Sequence, residues 1–190
     1  MRSVRDFKPD AVEEAKLRAV LEAAIRAPSS GNTQPWAFVV VREKEKKRLV
    51  ANVISERWHE LMDSRIAKMP PDSRRIYERA TRLVDSTPSV PVIVLACIEL
   101  EKASRSEEAR YASIYPAVQN MMLAAWSLGL GSCITTHASS PPRGEEEVKR
   151  ILGIPKQVKI ACLVYLGYPA RRLSPPVRPG VEKFVHYDAW

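Results

Sequence analysis

Pro28-Ser29-Ser30-Gly31-Asn32-Thr33-Gln34-Pro35-Trp36-Ala37-Phe38-Val39-Val40-Val41 is the stretch on which the reading of this chain turns. Its first half is a loop, because two prolines bracket Ser, Gly and Asn, residues that favour turns over helix or sheet. Its second half, residues 36–41, is continuously apolar and rich in Val, which predicts a strand buried on both faces. The loop carries more side-chain donors and acceptors than a turn consumes. A turn rich in Ser and Asn is one reading of that surplus; a ligand with a long polar edge is the other.

Upstream, residues 10–26 read as a helix. Asp10 is placed to cap it, Glu13 completes a capping-box pattern, and Leu17, Val20, Leu21, Ala24 and Ile25 form one apolar stripe. Downstream, residues 43–62 predict a second helix. Residues 63–89, charged and carrying Pro70-Pro71, predict a partly helical excursion over the core. Further strands are expected over residues 91–98, 131–136 and 158–168. A long helix over residues 111–128 carries Ile114, Val118, Met121, Met122 and Ala125 on one face and closes at Gly129. A shorter helix covers residues 144–152. Residues 169–190 are rich in proline and predict an extended tail that wraps a partner surface. Helices and strands mix without strict alternation, so the expected class is an α+β sandwich around one central sheet.

Composition excludes several functions. The 190 residues carry a formal net charge of +8, yet the basic residues are interleaved with acids, as in residues 42–48, like a solvated helix face. No basic motif interleaved with aromatics suggests base stacking, so nucleic acid is not expected as a partner. No run approaches the roughly 20 apolar residues of a membrane span. Residues 1–6 lack the apolar core of a signal peptide, so a soluble cytoplasmic protein is expected. Cys97, Cys133 and Cys162 each sit in an apolar run and read as small buried hydrophobes. His59, His137 and His186 are too scattered for a metal site.

Three more segments carry possible chemistry. Arg2-Ser3-Val4-Arg5 places two guanidinium groups around a hydroxyl, a set suited to phosphate and equally to a solvated basic terminus. Gly129-Leu130-Gly131-Ser132 leads into Cys133-Ile134-Thr135-Thr136-His137, but neither a Gly-x-Gly-x-x-Gly fingerprint nor a P-loop occurs. In Pro175-Pro176-Val177-Arg178-Pro179-Gly180, prolines stiffen the backbone around one arginine, a second phosphate clamp or simply a rigid tail.

Together and in this order, these segments resemble the nitroreductase family of FMN enzymes over essentially the whole chain. The resemblance rests on residues 28–38, on residues 120–125 running into 127–132, and on Leu166-Gly167-Tyr168-Pro169 followed by the tail to Trp190. It implies one domain over residues 1–190, a three-layer sandwich whose central sheet is mostly antiparallel, and a homodimer with two FMN sites lined by both subunits. By the same resemblance Arg2, Ser3 and Arg5, with Arg178, hold the phosphate and ribityl chain. Pro28, Ser29, Ser30, Asn32 and Gln34 line the flavin from the other subunit, and Ile134, Thr135 and Thr136 lie against its ring. The chain departs from the family in starting at Met1, without the helix and further arginine that often precede Arg2. It also has Pro176 where some members have lysine, and residues 55–89 match no branch of the family.

The implied activity is hydride transfer from NADH or NADPH, through FMN, to a nitroaromatic, a quinone or a similar small acceptor in a ping-pong scheme. In such enzymes the cofactor carries the hard chemistry, so no dedicated acid, base or nucleophile is assigned. His137 reads as a structural histidine before a proton donor. A flavin carrier without catalysis and a basic nucleic-acid-binding module are the rival classes.

Overall fold

The computed structural model describes residues 1–136 and 143–190. The apolar runs build one four-stranded antiparallel sheet from β1 (Trp36–Val41), β2 (Val92–Glu99), β3 (Gly131–Thr135) and β4 (Val158–Gly167), in the spatial order β1-β2-β4-β3. β2 and β4 hold the centre, where helices cover both faces, so apart from Glu99 and Lys159 near the strand ends their sequences are apolar without alternation. Ile93, Leu95, Leu163 and Leu166 are fully buried, each contributing about 1.5–3 kcal/mol relative to exposure. Opposite Ala96 and Cys97 the register slips, and the extra residue in β4 is Ala161. Ala161 and Cys162 consequently join the same core cluster although they are sequence neighbours, while Ile160 and Leu163 join the other.

The helices α1 (Glu14–Ala24) and α4 (Glu107–Ser127) pack on one face, and α2 (Lys44–Ala67), α3 (Pro71–Asp85) and α5 (Arg143–Leu152) on the other. This is the expected three-layer α+β arrangement. Cys97, Cys133 and Cys162 are buried, and none forms a disulfide. Burial pushes the thiols of Cys97 and Cys162 up to about 12.

Several boundaries differ from the sequence expectation. Asp10 does not cap α1, which starts after Glu13. Residues 7 and 8 are held extended against the end of the sheet, Phe7 bridging Pro169 and Lys8 N donating to Tyr168 O at 2.8 Å. The Glu13 carboxylate is drawn away from the helix end to accept from Tyr168 Oη at 2.6 and 2.8 Å. Tertiary pairing overrides the local capping pattern. α4 begins at Glu107 rather than near Tyr111, capped by Ser106, whose Oγ accepts from Ala109 N at 3.3 Å.

The central excursion is mostly helical, broken at residues 68–70. α2 runs on through Trp58 and Met62, both buried, and α3 starts with Pro71 in the first turn, where a missing N–H costs nothing. Ile76, Ala80, Leu83 and Val84 follow at helical spacing along α3. Trp58 Nε1 donates to Thr81 Oγ1 at 2.9 Å, and the Trp58 and Tyr77 rings stack at 6.4 Å between centroids. His59 adds a polar tie, reaching Asp63 at 2.9 Å on its own helix and Asp85 at 3.0 Å on α3.

Candidate functional site

β3 is an edge strand, and the N-terminal segment closes it. Ser3 bridges Ser132 in parallel, and Val4 N donates to Ser132 O at 2.9 Å. The fit depends on Gly131: a Cβ there would lie 2.6 Å from Val4 Cγ2, so the Val4 side chain fills the space that any other residue would take. With Val4 buried, the alternation of an extended chain turns Ser3 and Arg5 to the opposite side. Arg2 is fixed separately by donating to Ser174 O at 2.7 Å.

Beside this segment lies a cavity of about 340 Å³, within the range of small-molecule sites. Cys133, Ile134, Thr135 and Thr136 form the β3 wall, Ile76, Tyr77 and Ala80 the α3 wall, and the buried Trp58 and Tyr165 also line it, together with Arg5. Burial pushes the Tyr165 phenol up to about 12 and raises Cys133 as well, so both are neutral at ordinary pH. No carboxylate, lysine or histidine lines the cavity among the described residues. Such a slot binds, orients and excludes water, and leaves reactive chemistry to its ligand.

Next to it, and sharing Arg5, is a smaller pit of about 30 Å³. Arg2, Arg5, Arg79 of α3 and Arg171 converge on it with Ser3, and Asp6 is the one carboxylate in its lining. Arg171 reaches Asp6 at 3.2 Å. Four guanidinium groups against one carboxylate are poised for an anion.

Of the residues singled out in the sequence, Arg2, Ser3, Arg5, Ile134, Thr135 and Thr136 therefore meet at one place. Pro28, Ser29, Ser30, Asn32 and Gln34 form a second cluster leading into β1, at the opposite edge of the sheet, about 14 Å away across three strand spacings. This loop is braced by Gln34 N donating to Ser29 Oγ at 3.0 Å and by Ser30 N donating to Ser113 Oγ of α4 at 3.1 Å. Asn32 and Gln34 hold φ of 54° and 47°, a left-handed backbone that tends to be kept at ligand sites. Arg178 lies in the exposed tail, donating to the neighbouring Val177 O at 3.0 Å. His137 lies outside the described residues.

Sequence reasoning gave no site role to Arg79, Arg171, Trp58 or Tyr77. The apolar stripe of α3 was the available signal. Among the described residues, no His, Cys, Asp and Glu cluster of three or more could hold a metal, and no helix is long and apolar enough to cross a membrane.

Comparison with known proteins places this geometry. The chain is 32% identical to an NADH dehydrogenase of Thermus thermophilus over 97% of its own length and 90% of the relative's. It is 28% identical to an iodotyrosine deiodinase of Thermotoga neapolitana, over 100% of this chain and 94% of that one. A solved structure of oxidised iodotyrosine deiodinase bound to FMN and 3-iodo-L-tyrosine shares the fold with a TM-score of 0.79 at 24% identity, covering 100% of this chain and 95% of that chain. The family model for nitroreductases matches residues 2–168. A four-stranded antiparallel sheet between two helical layers, with its cavity at the β3 edge, is thus the scaffold of a member of the nitroreductase family.

Proposed function

We propose that the chain is a single-domain FMN-dependent oxidoreductase acting as a homodimer. It takes hydride from NADH or NADPH and delivers it to a nitroaromatic, a quinone or a similar small acceptor in a ping-pong cycle. The observation that carries this reading is the junction at Arg5, where the cationic pit opens beside the aromatic-walled cavity. A pit for a phosphate next to a slot for a flat ring is the shape FMN requires, and the residues present fit it.

In this reading Arg2, Ser3 and Arg5 hold the phosphate, and Arg178 reaches it once the tail is ordered against a partner. Ile134, Thr135 and Thr136 flank the ring. Pro28, Ser29, Ser30, Asn32 and Gln34 serve the cofactor of the other subunit, which their position at the opposite sheet edge favours. Trp58 and Tyr77 exclude water from the slot, and guanidinium groups and backbone amides stabilise negative charge that develops beside them. Bound FMN supplies the hydride relay between the nicotinamide and the acceptor.

Exposed apolar side chains support the dimer. Leu123 and Trp126 on α4, and Val177, Phe184, Tyr187 and Trp190 on the tail, are left uncovered in one protomer.

The test is an absorption spectrum of the purified protein, before and after NADH or NADPH is added without oxygen. The expected result is a flavin band that bleaches on addition, followed by re-oxidation with one class from a panel of nitroaromatics, quinones and halogenated phenols. A protein that carries no flavin and takes up none from added FMN overturns the reading.

A further inference from the structure

Arg79 is the one contributor to the cationic pit that comes from the helical excursion. It stands on α3 between Ile76 and Ala80, which line the neighbouring cavity, so one helix faces both spaces. Its companions have other work: Arg2 donates to Ser174 O, and Arg171 pairs with Asp6. Among the described residues, Arg79 makes no hydrogen bond or ion pair. Bringing it toward Arg2, Arg5 and Arg171 is unfavourable by mutual repulsion unless an anion sits between them. Yet α3 is held in place by apolar contacts, by the Trp58–Thr81 hydrogen bond and by the His59–Asp85 tie.

We propose that Arg79 is a ligand of the flavin phosphate, and that its bond to that phosphate draws α3 down over the ring cavity. The inference rests on the flavin reading above and adds a residue and a linkage to it. The guanidinium offers planar paired donors to two phosphate oxygens, a geometry that lysine cannot reproduce. Cofactor binding and cover of the slot then become one event: the phosphate fastens the helix whose Tyr77 walls the ring.

Riboflavin, which has the ring and ribityl chain but no phosphate, separates the two halves of the proposal. FMN and riboflavin are titrated by fluorescence quenching into the full-length apoprotein, as wild type, Arg79→Gln and Arg79→Lys. Amide exchange of residues 71–85 is followed in each complex. Arg79→Gln is expected to weaken FMN by about tenfold, as loss of a charge-assisted contact implies, and to leave riboflavin affinity unchanged. Arg79→Lys is expected to fall between the two. FMN should protect α3 from exchange more than riboflavin does in the wild type, and this difference should vanish in Arg79→Gln. Arg79 is exposed, so the apoproteins should melt together.

An unchanged ratio of FMN to riboflavin affinity in Arg79→Gln overturns the proposal, as does equal weakening of both ligands, which would mean that Arg79 only shapes the cavity. A wild type that binds neither flavin overturns the underlying reading and the proposal with it.

Discussion

At Gly131 the absence of a side chain decides where Ser3 and Arg5 can go. The van der Waals space above its Cα belongs to Val4, and Val4 in turn sets the direction of Ser3 and Arg5. Gly131→Ala should therefore act twice. Overpacking should cost about 1–3 kcal/mol in thermal stability, and displacement of the N-terminal segment should weaken FMN more than riboflavin. A melting curve and the two titrations check this; full stability with full FMN affinity would show that Val4 can move aside freely. The sequence displayed the residues of this joint but not the joint. Arg2-Ser3-Val4-Arg5 suggested a phosphate from its donors alone, and Gly131 looked like one of two glycines at a helix end. Only the pairing of Ser3 with Ser132 explains why both belong to one site, and pairing between distant segments leaves no local pattern to read.

Among the elements, α3 was the least legible and is the most consequential. Its helix is written in Pro71 at the first turn and in the stripe from Ile76 to Val84, but a charge-rich exterior and the Pro70-Pro71 pair masked both. β2 and β4 were plain because burial along nearly their whole length leaves only Glu99 and Lys159, near the strand ends, charged, whereas α1 was placed too early because Phe7 and Lys8 are committed to the sheet end. The grip of α2 on α3 depends on pH. Hydrogen bonds to Asp85, and next to Asp63, raise the His59 pKa above its ordinary value of 6.5. The folded state thus holds the His59 proton more tightly than the unfolded chain does. The associated stability is fully present below about pH 6.5 and is lost as pH rises through the raised value. His59 is partly exposed, so solvent screens the effect. Urea midpoints should show His59→Gln less stable than wild type near pH 6 and converging with it near pH 9. A difference independent of pH would assign His59 a packing role only.

For the whole molecule, the outstanding feature is what one protomer leaves uncovered. Tyr187 and Trp190 are 85% and 101% exposed, an arrangement that costs solubility unless a second surface receives them. If the homodimer proposed above forms, removal of residues 176–190 is expected to shift it to monomer in light scattering and to reduce FMN uptake, while the sheet and helices of the chain persist by circular dichroism. A truncated chain that stays dimeric would move the interface to the exposed face of α4, at Leu123 and Trp126.

The pairing of Ser3 with Ser132 also sets an order of events during synthesis. The segment bearing Arg2 and Arg5 leaves the ribosome well before its seat on β3 is made, and closing so long a loop is slow. Until it docks, β3 presents an unpaired edge open to any other extended chain. The same few residues that bring Arg2 and Arg5 to the pit therefore also guard nascent molecules against edge-to-edge association, so one docking step serves both.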